Sequence, residues 1–280
     1  MGTDASNLNL LRPQDESMMS PYLNTETDDR GRAILTLNRP ELHNAFDDAL
    51  IAALTGELQR LDKDPGVRTV ALTGAGKSFS AGADLGWMRR MADYTEEENH
   101  ADALALAELM RTLDTLSKPT IALVQGAAFG GGVGLVACCD IALAAPAACF
   151  CLSEVKLGLI PAVISPYVVA AIGPRAARRY FQTAERFDAE EACRQGLVHE
   201  VVPEGRLEER ATQISDQLLG NGPQAMAEAK SLVTAVATGP VDNAMIADTA
   251  RRIARIRASA EGREGIGAFL EKRHPAWVKG

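Results

Sequence analysis

Histidines, aromatic residues and regularly spaced cysteines are all scarce in this 280-residue chain, which has four histidines, 5% aromatics and five cysteines. The cysteines, at 138, 139, 149, 151 and 193, show no C-x-x-C spacing, which excludes the common zinc-site pattern, and their odd number excludes a fully paired disulfide framework. Most lie in apolar runs and read as core thiols of a protein in the reducing cytoplasm. No run of about 18 apolar residues is present, so a membrane-spanning helix is not expected. Residues 1–20 have neither the basic start nor the apolar centre of a secretory signal and read as a disordered tail. A basic surplus is missing too. Lys and Arg total 29 against 37 Asp and Glu, a formal charge of −8. With a pI near 5.2, this argues against DNA or RNA as a partner, because a sequence-independent phosphate grip needs a basic surface. An anionic small ligand would need cations gathered locally.

What the chain does have is alternation. Residues 32–37, 68–73, 120–125 and 140–144 are short runs rich in Val, Ile, Leu and Thr, and read as strands. Residues 47–62 space their apolar side chains at about 3.6, with Asp47 and Asp48 in the first turn, and read as a helix. Residues 95–117 form another, opened by the capping box Thr95/Glu98. Such alternation predicts an α/β fold with crossover connections and buried sheets. From about residue 160 the pattern turns helical, punctuated by Gly-Pro at 173–174, 222–223 and 239–240, with one strand expected at 197–202. The letters show no repeat of fixed period.

Three glycine-rich stretches invite nucleotide readings, and each falls short. TGAGKS (73–78) resembles a P-loop, but the first glycine of that motif would fall on Ala71, and no helix obviously follows. Gly132 to Ala137 fits G-x-G-x-x-A with Glu154 downstream, yet GAAFGG separates it from the preceding strand. Neither serine of SFSAG sits in G-x-S-x-G. A different chemistry suits the same glycines. Ala81-Gly82-Ala83-Asp84 follows a strand, and Gly130-Gly131-Gly132 precedes the apolar helical stretch 133–139, whose free N–H groups would point at the triplet. Two such loops can aim backbone donors at one developing oxyanion, or they can be tight turns in a crowded sheet. Composition alone leaves both open.

Taken as blocks, NRPELHNAF (38–46), VRTVALTGAGKSFSAGADL (67–85), KPTIALVQGAAFGGGVGL (118–135), SEVKLGLIP (153–161) and REGIGAFLEKRHP (263–275) resemble the crotonase (enoyl-CoA hydratase/isomerase) superfamily over about residues 30–274. The resemblance implies a spiral core of ββα units over 21–200 and a helical region over 201–280 that builds trimers, often paired into hexamers. It places the two oxyanion donors at the N–H groups of Ala83 and Gly131, where they would hold a thioester carbonyl and stabilise an enolate. Ala83, Asp84, Leu85 and Gly86 would line the CoA site, with the adenine near the backbone of Ala81 and Ala83. Lys77 matches a basic position nearby, and Phe269 and Lys272 match positions that reach the CoA of a neighbouring subunit. Both lysines can equally be solvated surface residues. No metal or separate cofactor is implied, since coenzyme A arrives as part of the substrate.

The chain departs from the best-known hydratases at one catalytic position. Those enzymes carry a glutamate on the helix after the glycine triplet and a second about twenty residues later. Here the second is Glu154 and the first is Gly134. A pair of carboxylates divides acid and base work; one alone must do both, or serve a reaction that needs only one, such as double-bond isomerisation. The run GGGVGLVACCDIALA with LSEVKLGLIPAVISPYVV resembles bacterial enzymes that hydrate 3-methylglutaconyl-CoA in leucine breakdown, and cousins that hydrate carboxygeranoyl- or isohexenylglutaconyl-CoA. The expectation is therefore a cytoplasmic enoyl-CoA hydratase, homo-oligomeric, acting through Glu154, Ala83 and Gly131. Its rivals are an enoyl-CoA isomerase of the same fold and a catalytically weak CoA- or RNA-binding homologue. Burial beside Leu152, Leu157 and Ile160 is expected to raise the pKa of Glu154. Arg89 or Arg90 could meet a distal substrate carboxylate, although exposed helix arginines account for them as simply.

Overall fold

The computed structural model describes residues 20–278, so the expected tail lies, but for Ser20, outside the described residues. The first half contains β1 (Leu23–Thr27), β2 (Arg32–Leu37), α1 (Asp48–Lys63), β3 (Thr69–Gly74), β4 (Ser78–Ala81), α2 (Leu85–Met91), α3 (Glu96–Asp114), β5 (Thr120–Val124), β6 (Ala127–Phe129) and α4 (Gly131–Cys138). The second contains β7 (Ile141–Ala144), β8 (Cys149–Cys151), α5 (Ser165–Thr183), β9 (Phe187–Asp188), α6 (Ala189–Gln195), β10 (Glu200–Val201), α7 (Leu207–Leu219), α8 (Pro223–Val236), α9 (Asn243–Ala258) and α10 (Ala260–Glu271).

The helices start where side chains can satisfy their free N–H groups. Asp47 caps α1 by accepting from Leu50 N, and Thr95 and Glu98 form the expected capping box on α3. Along α1, Leu50, Ile51, Leu54, Leu58 and Leu61 recur at helical spacing and are all buried. Each full burial of this kind contributes about 1.5–3 kcal/mol.

A six-stranded sheet runs β1-β2-β3-β5-β7-β10, with β2 to β10 parallel and β1 antiparallel. A four-stranded sheet runs β4-β6-β8-β9, with β4, β6 and β8 parallel. Strand order follows chain order in both sheets, and from β3 to α5 each turn of chain adds one strand to each sheet and then a helix or a pair of helices. This is the ββα spiral that the resemblance implied.

A structural repeat is therefore present although the letters show no fixed period. The reason is the unequal connections: α2 and α3 together complete the turn after β4, whereas eight-residue α4 completes the turn after β6. The whole second sheet escaped the sequence reading. Its strands SFSA, AAF and CFC are three or four residues long and largely buried, too short to show an alternation. The strand expected over 197–202 is confined to Glu200–Val201.

Candidate active site

The register of the small sheet places the functional loops. Ala81 on β4 pairs with Phe129 on β6, which pairs with Cys151 on β8. These three residues end their strands side by side, so Ala83, Gly131 and Glu154 each leave the sheet two or three residues beyond the same edge. Parallel strands in α/β proteins present their binding loops at this carboxyl end.

Neither proposed donor has a backbone acceptor among the described residues. Phe46 N donates to Gly82 O at 2.9 Å, and Asp84 N donates to Phe46 O at 2.7 Å, in an isolated parallel bridge between Phe46 and Ala83. Both bonds use the neighbours of Ala83, so its own N–H faces the opposite side, where no backbone acceptor meets it among the described residues. Gly131 opens α4, where the N–H has no intrahelical partner. The turn before it needs glycine: Gly130 has φ 52° and ψ −119°, and donates its N–H to Cys151 O at 2.9 Å.

Glu154 starts a short 3-10 turn after β8. A Cβ built on Gly130 would lie 3.3 Å from Glu154 Oε1, so the carboxylate stands against the turn that opens α4, and the same point is 4.0 Å from Gly82 Cα, which brings the two glycine loops together there. Its Oε2 is buried and has no hydrogen-bond partner among the described residues. Burial pushes the carboxyl above the ordinary glutamate value, opposed in part by its own backbone N–H. The direction agrees with the sequence expectation, but the cause is differently distributed. Leu152 is fully buried, whereas Leu157 and Ile160 are exposed and do not form the expected apolar cover.

The vacant first glutamate position is closed by packing. A Cβ at Gly134 would lie 2.3 Å from Ile164 Cγ2 and 3.1 Å from Met110 Cε. Gly130 and Gly134 lie one turn apart on α4, so one stands against a carboxylate and the other against a branched alkyl group. Ile164, itself buried, occupies the room that a side chain at position 134 would need. This packing could not be read from the letters, since it joins a helix to a residue 30 positions away.

The block 38–46 also acquires roles that the sequence did not assign. Buried Asn44, in the left-handed region at φ 53°, accepts Arg39 N with Oδ1 and donates from Nδ2 toward the carbonyls of Ala75, Ser78 and Phe79. Ser80 Oγ donates to Asn44 O at 2.8 Å. Arg39 pairs with Asp47 at 2.6 Å and approaches Asp84 at 3.7 Å. Asp84 caps α2 by accepting from Gly86 N and Trp87 N, so its carboxylate holds the helix that follows the first loop.

Other candidates are placed as follows. Ala81, Ala83, Asp84, Leu85 and Gly86 form one continuous segment from the end of β4 into α2, with Leu85 and Gly86 exposed. Lys77 is exposed just before β4. Phe269, 82% exposed, and Lys272 lie at the end of α10, which packs on α8 and α9. Among the described residues, no hydrogen bond or ion pair ties either to the two loops. Arg90 is engaged by Asp48 at 2.5 Å on the surface, while Arg89 is exposed. TGAGKS links β3 to β4, strand to strand, which removes the P-loop reading. Cys138, Cys139 and Cys151 are buried, and burial pushes the Cys139 thiol up to about 12, so these are inert core groups. Among the described residues, no three His, Cys, Asp or Glu are grouped to hold a metal ion, and no helix is long and apolar enough to cross a membrane.

Comparison with known proteins accords with this geometry. A model of the enoyl-CoA hydratase/isomerase family matches residues 28–280. The chain is 33% identical to a crotonyl-CoA hydratase of Syntrophomonas wolfei, over 88% of this chain and 94% of that protein. The crystal structure of an enoyl-CoA hydratase from Shewanella pealeana is 50% identical, with TM-score 0.89 over 91% of this chain and 96% of the other. Pseudomonas aeruginosa AtuE is 38% identical, with TM-score 0.88 over 92% of this chain and all of the other. The chain belongs to the enoyl-CoA hydratase/isomerase family, among the enoyl-CoA hydratases of the crotonase superfamily.

Proposed function

We propose that this enzyme adds water across the 2,3 double bond of a branched glutaconyl-CoA, 3-methylglutaconyl-CoA or a close relative, with Glu154 as its one catalytic carboxylate. The observation that supports the reading is the placement of three groups beyond one sheet edge: two N–H groups without a backbone acceptor and a carboxylate with a buried oxygen that has no partner among the described residues. The thioester oxygen accepts from Ala83 and Gly131. Glu154 holds a water and takes its proton as oxygen bonds to C3, and the electron pair of the double bond moves onto the thioester as an enolate. Glu154 then returns that proton to C2. Water supplies both the hydroxyl at C3 and the hydrogen at C2, and the carboxylate ends as it began. Its raised pKa suits the work, because a base closer to neutrality accepts and returns a proton with less penalty. Each oxyanion donor contributes about 2.7–4 kcal/mol to such a transition state.

The choice of acyl group rests on the resemblance of 130–144 and 152–169 to the methylglutaconyl-CoA branch, and an apolar Ile164 in place of an acid accords with a branched acyl chain. The CoA portion is assigned to Ala81, Ala83, Asp84, Leu85 and Gly86, with Lys77 on the same chain and Phe269 and Lys272 supplied by a neighbouring subunit. That sharing requires a homo-oligomer, a trimer or a pair of trimers. Exposed Val233, Val236, Ile246, Ile253, Phe269 and Leu270 on α8–α10 support it, since large apolar side chains at this density are normally covered. The site calls for no resident cofactor, and the reading places the enzyme in the cytoplasm. Turnover in ¹⁸O-water on 3-methylglutaconyl-, crotonyl-, 3-hexenoyl- and isohexenylglutaconyl-CoA tests it. Label at C3 with 3-methylglutaconyl-CoA is expected. Conversion of the 3-enoyl to the 2-enoyl ester without label on any substrate would replace hydration by isomerisation.

A further inference from the structure

The two oxyanion loops belong to different turns of the spiral, and one buried residue touches both. Phe46 is 2% exposed. Its backbone N–H and C=O bond to Gly82 and Asp84 on either side of Ala83. Its ring lies against the other loop: a Cβ on Gly131 would fall 3.1 Å from Phe46 Cε2 and 3.2 Å from Cδ2. One residue thus holds the first donor by its backbone and the second by its ring. We propose that Phe46 is a positioning residue that sets the separation and angle between the Ala83 and Gly131 N–H groups, and through them the affinity of the site for an oxyanion.

The rest of the segment is built to keep Phe46 in place. Asn44, at φ 53°, is anchored to the carbonyls before and within β4, and Ser80 donates back to its carbonyl, so residues 44–46 are tied to the strand that leads into Ala83. A second contact, Gly132 against Ser80 O (2.3 Å from a built Cβ), brings α4 close to β4 on the far side. That contact fixes how near the helix start can come. At Gly131 itself the group packed against the backbone is the Phe46 ring. An oxyanion hole depends on this kind of preorganisation, because donors already aimed at the developing charge need no rearrangement during the reaction. Displacement of a reacting geometry by about 1 Å costs on the order of 100-fold in rate.

The inference rests on the oxyanion reading above, and the test separates the two. Phe46→Leu keeps the backbone bridge and removes the ring from Gly131. Phe46→Met refills the space with an unbranched flexible chain. Leu58→Ala, a buried truncation on α1 away from the loops, matches them for loss of core packing. Two ligands are titrated at a temperature where all variants are folded: butyryl-CoA, whose carbonyl stays neutral, and acetoacetyl-CoA, which can bind as its enolate and reports it by ultraviolet absorbance. We expect both Phe46 variants to weaken acetoacetyl-CoA by about 10–100-fold and to lower kcat by a similar factor, with butyryl-CoA affinity and KM within about twofold. Leu58→Ala should move none of these. Equal weakening of both ligands, or unchanged enolate affinity and kcat in the Phe46 variants, overturns the positioning role and leaves Phe46 a core residue. Absence of any enolate preference in the unaltered protein overturns the oxyanion reading and this inference with it.

Discussion

Gly134→Ala is the smallest change that tests why this site has one carboxylate. The new methyl would lie 2.3 Å from Ile164 Cγ2, 3.0 Å from Ile164 Cβ and 3.1 Å from Met110 Cε. The methionine end can swing away, but Ile164 is branched at Cβ, buried, and held by the chain immediately before α5. It must retreat by more than 1 Å to reach ordinary contact near 3.5–4 Å. Overpacking of this kind costs about 1–3 kcal/mol, and the better helix propensity of alanine returns up to about 1 kcal/mol. The net loss expected is about 1–2 kcal/mol, or a fall of roughly 2–8 °C in Tm for a chain near this size. In an Ile164→Ala background the Cγ2 clash is gone and the methyl partly fills the cavity. There Gly134→Ala should be neutral or stabilise by up to about 1 kcal/mol, a coupling of about 2 kcal/mol in the cycle. Thermal unfolding followed by circular dichroism on the four proteins, at one fixed concentration, measures this. Additivity within about 0.5 kcal/mol would refute the claim that Ile164 closes the position.

Glu154→Gln should lower kcat by on the order of 10²–10⁴-fold, since the amide can hold water but cannot exchange its proton. In the unaltered enzyme kcat/KM should rise with pH through one ionisation above the ordinary glutamate value and then level off; a bell with two carboxylate limbs would contradict a single catalytic acid. The same raised pKa makes the folded protein bind that proton more tightly than the unfolded chain, so this group lowers stability as pH rises through its folded pKa. Glu154→Gln should therefore raise Tm at pH 8, with the gain vanishing below the unfolded glutamate pKa; an equal gain at pH 4 would contradict burial as the cause. Gly131→Pro removes the N–H at a helix position that suits proline, although its Cβ must displace the Phe46 ring; in a folded variant kcat should fall by on the order of 10²–10³-fold, and near-normal turnover would take Gly131 out of the mechanism. Light scattering at micromolar concentration should show a trimer or its double, and a monomer would remove the shared CoA site of Phe269 and Lys272.

Much was legible because its signals are local. Apolar spacing and caps place α1 and α3, β-branched runs place β2, β3, β5 and β7, and the two glycine loops with Glu154 are contiguous letter patterns. What depends on residues meeting across the fold was not legible. The small sheet consists of strands too short to carry a period, and only its register shows that Ala83, Gly131 and Glu154 leave one edge. Glycine at 134 could be read as a missing acid, but only packing shows that Ile164 fills its place. Leu157 and Ile160 look like a cover for Glu154 in one dimension, yet both are exposed, and what stands against the carboxylate is the turn at Gly130. Phe46 is a single aromatic letter in a turn. Its contact with two loops, one about 40 and the other about 85 residues downstream, exists only once the spiral has closed, because close packing and hydrogen-bond direction are set by tertiary neighbours.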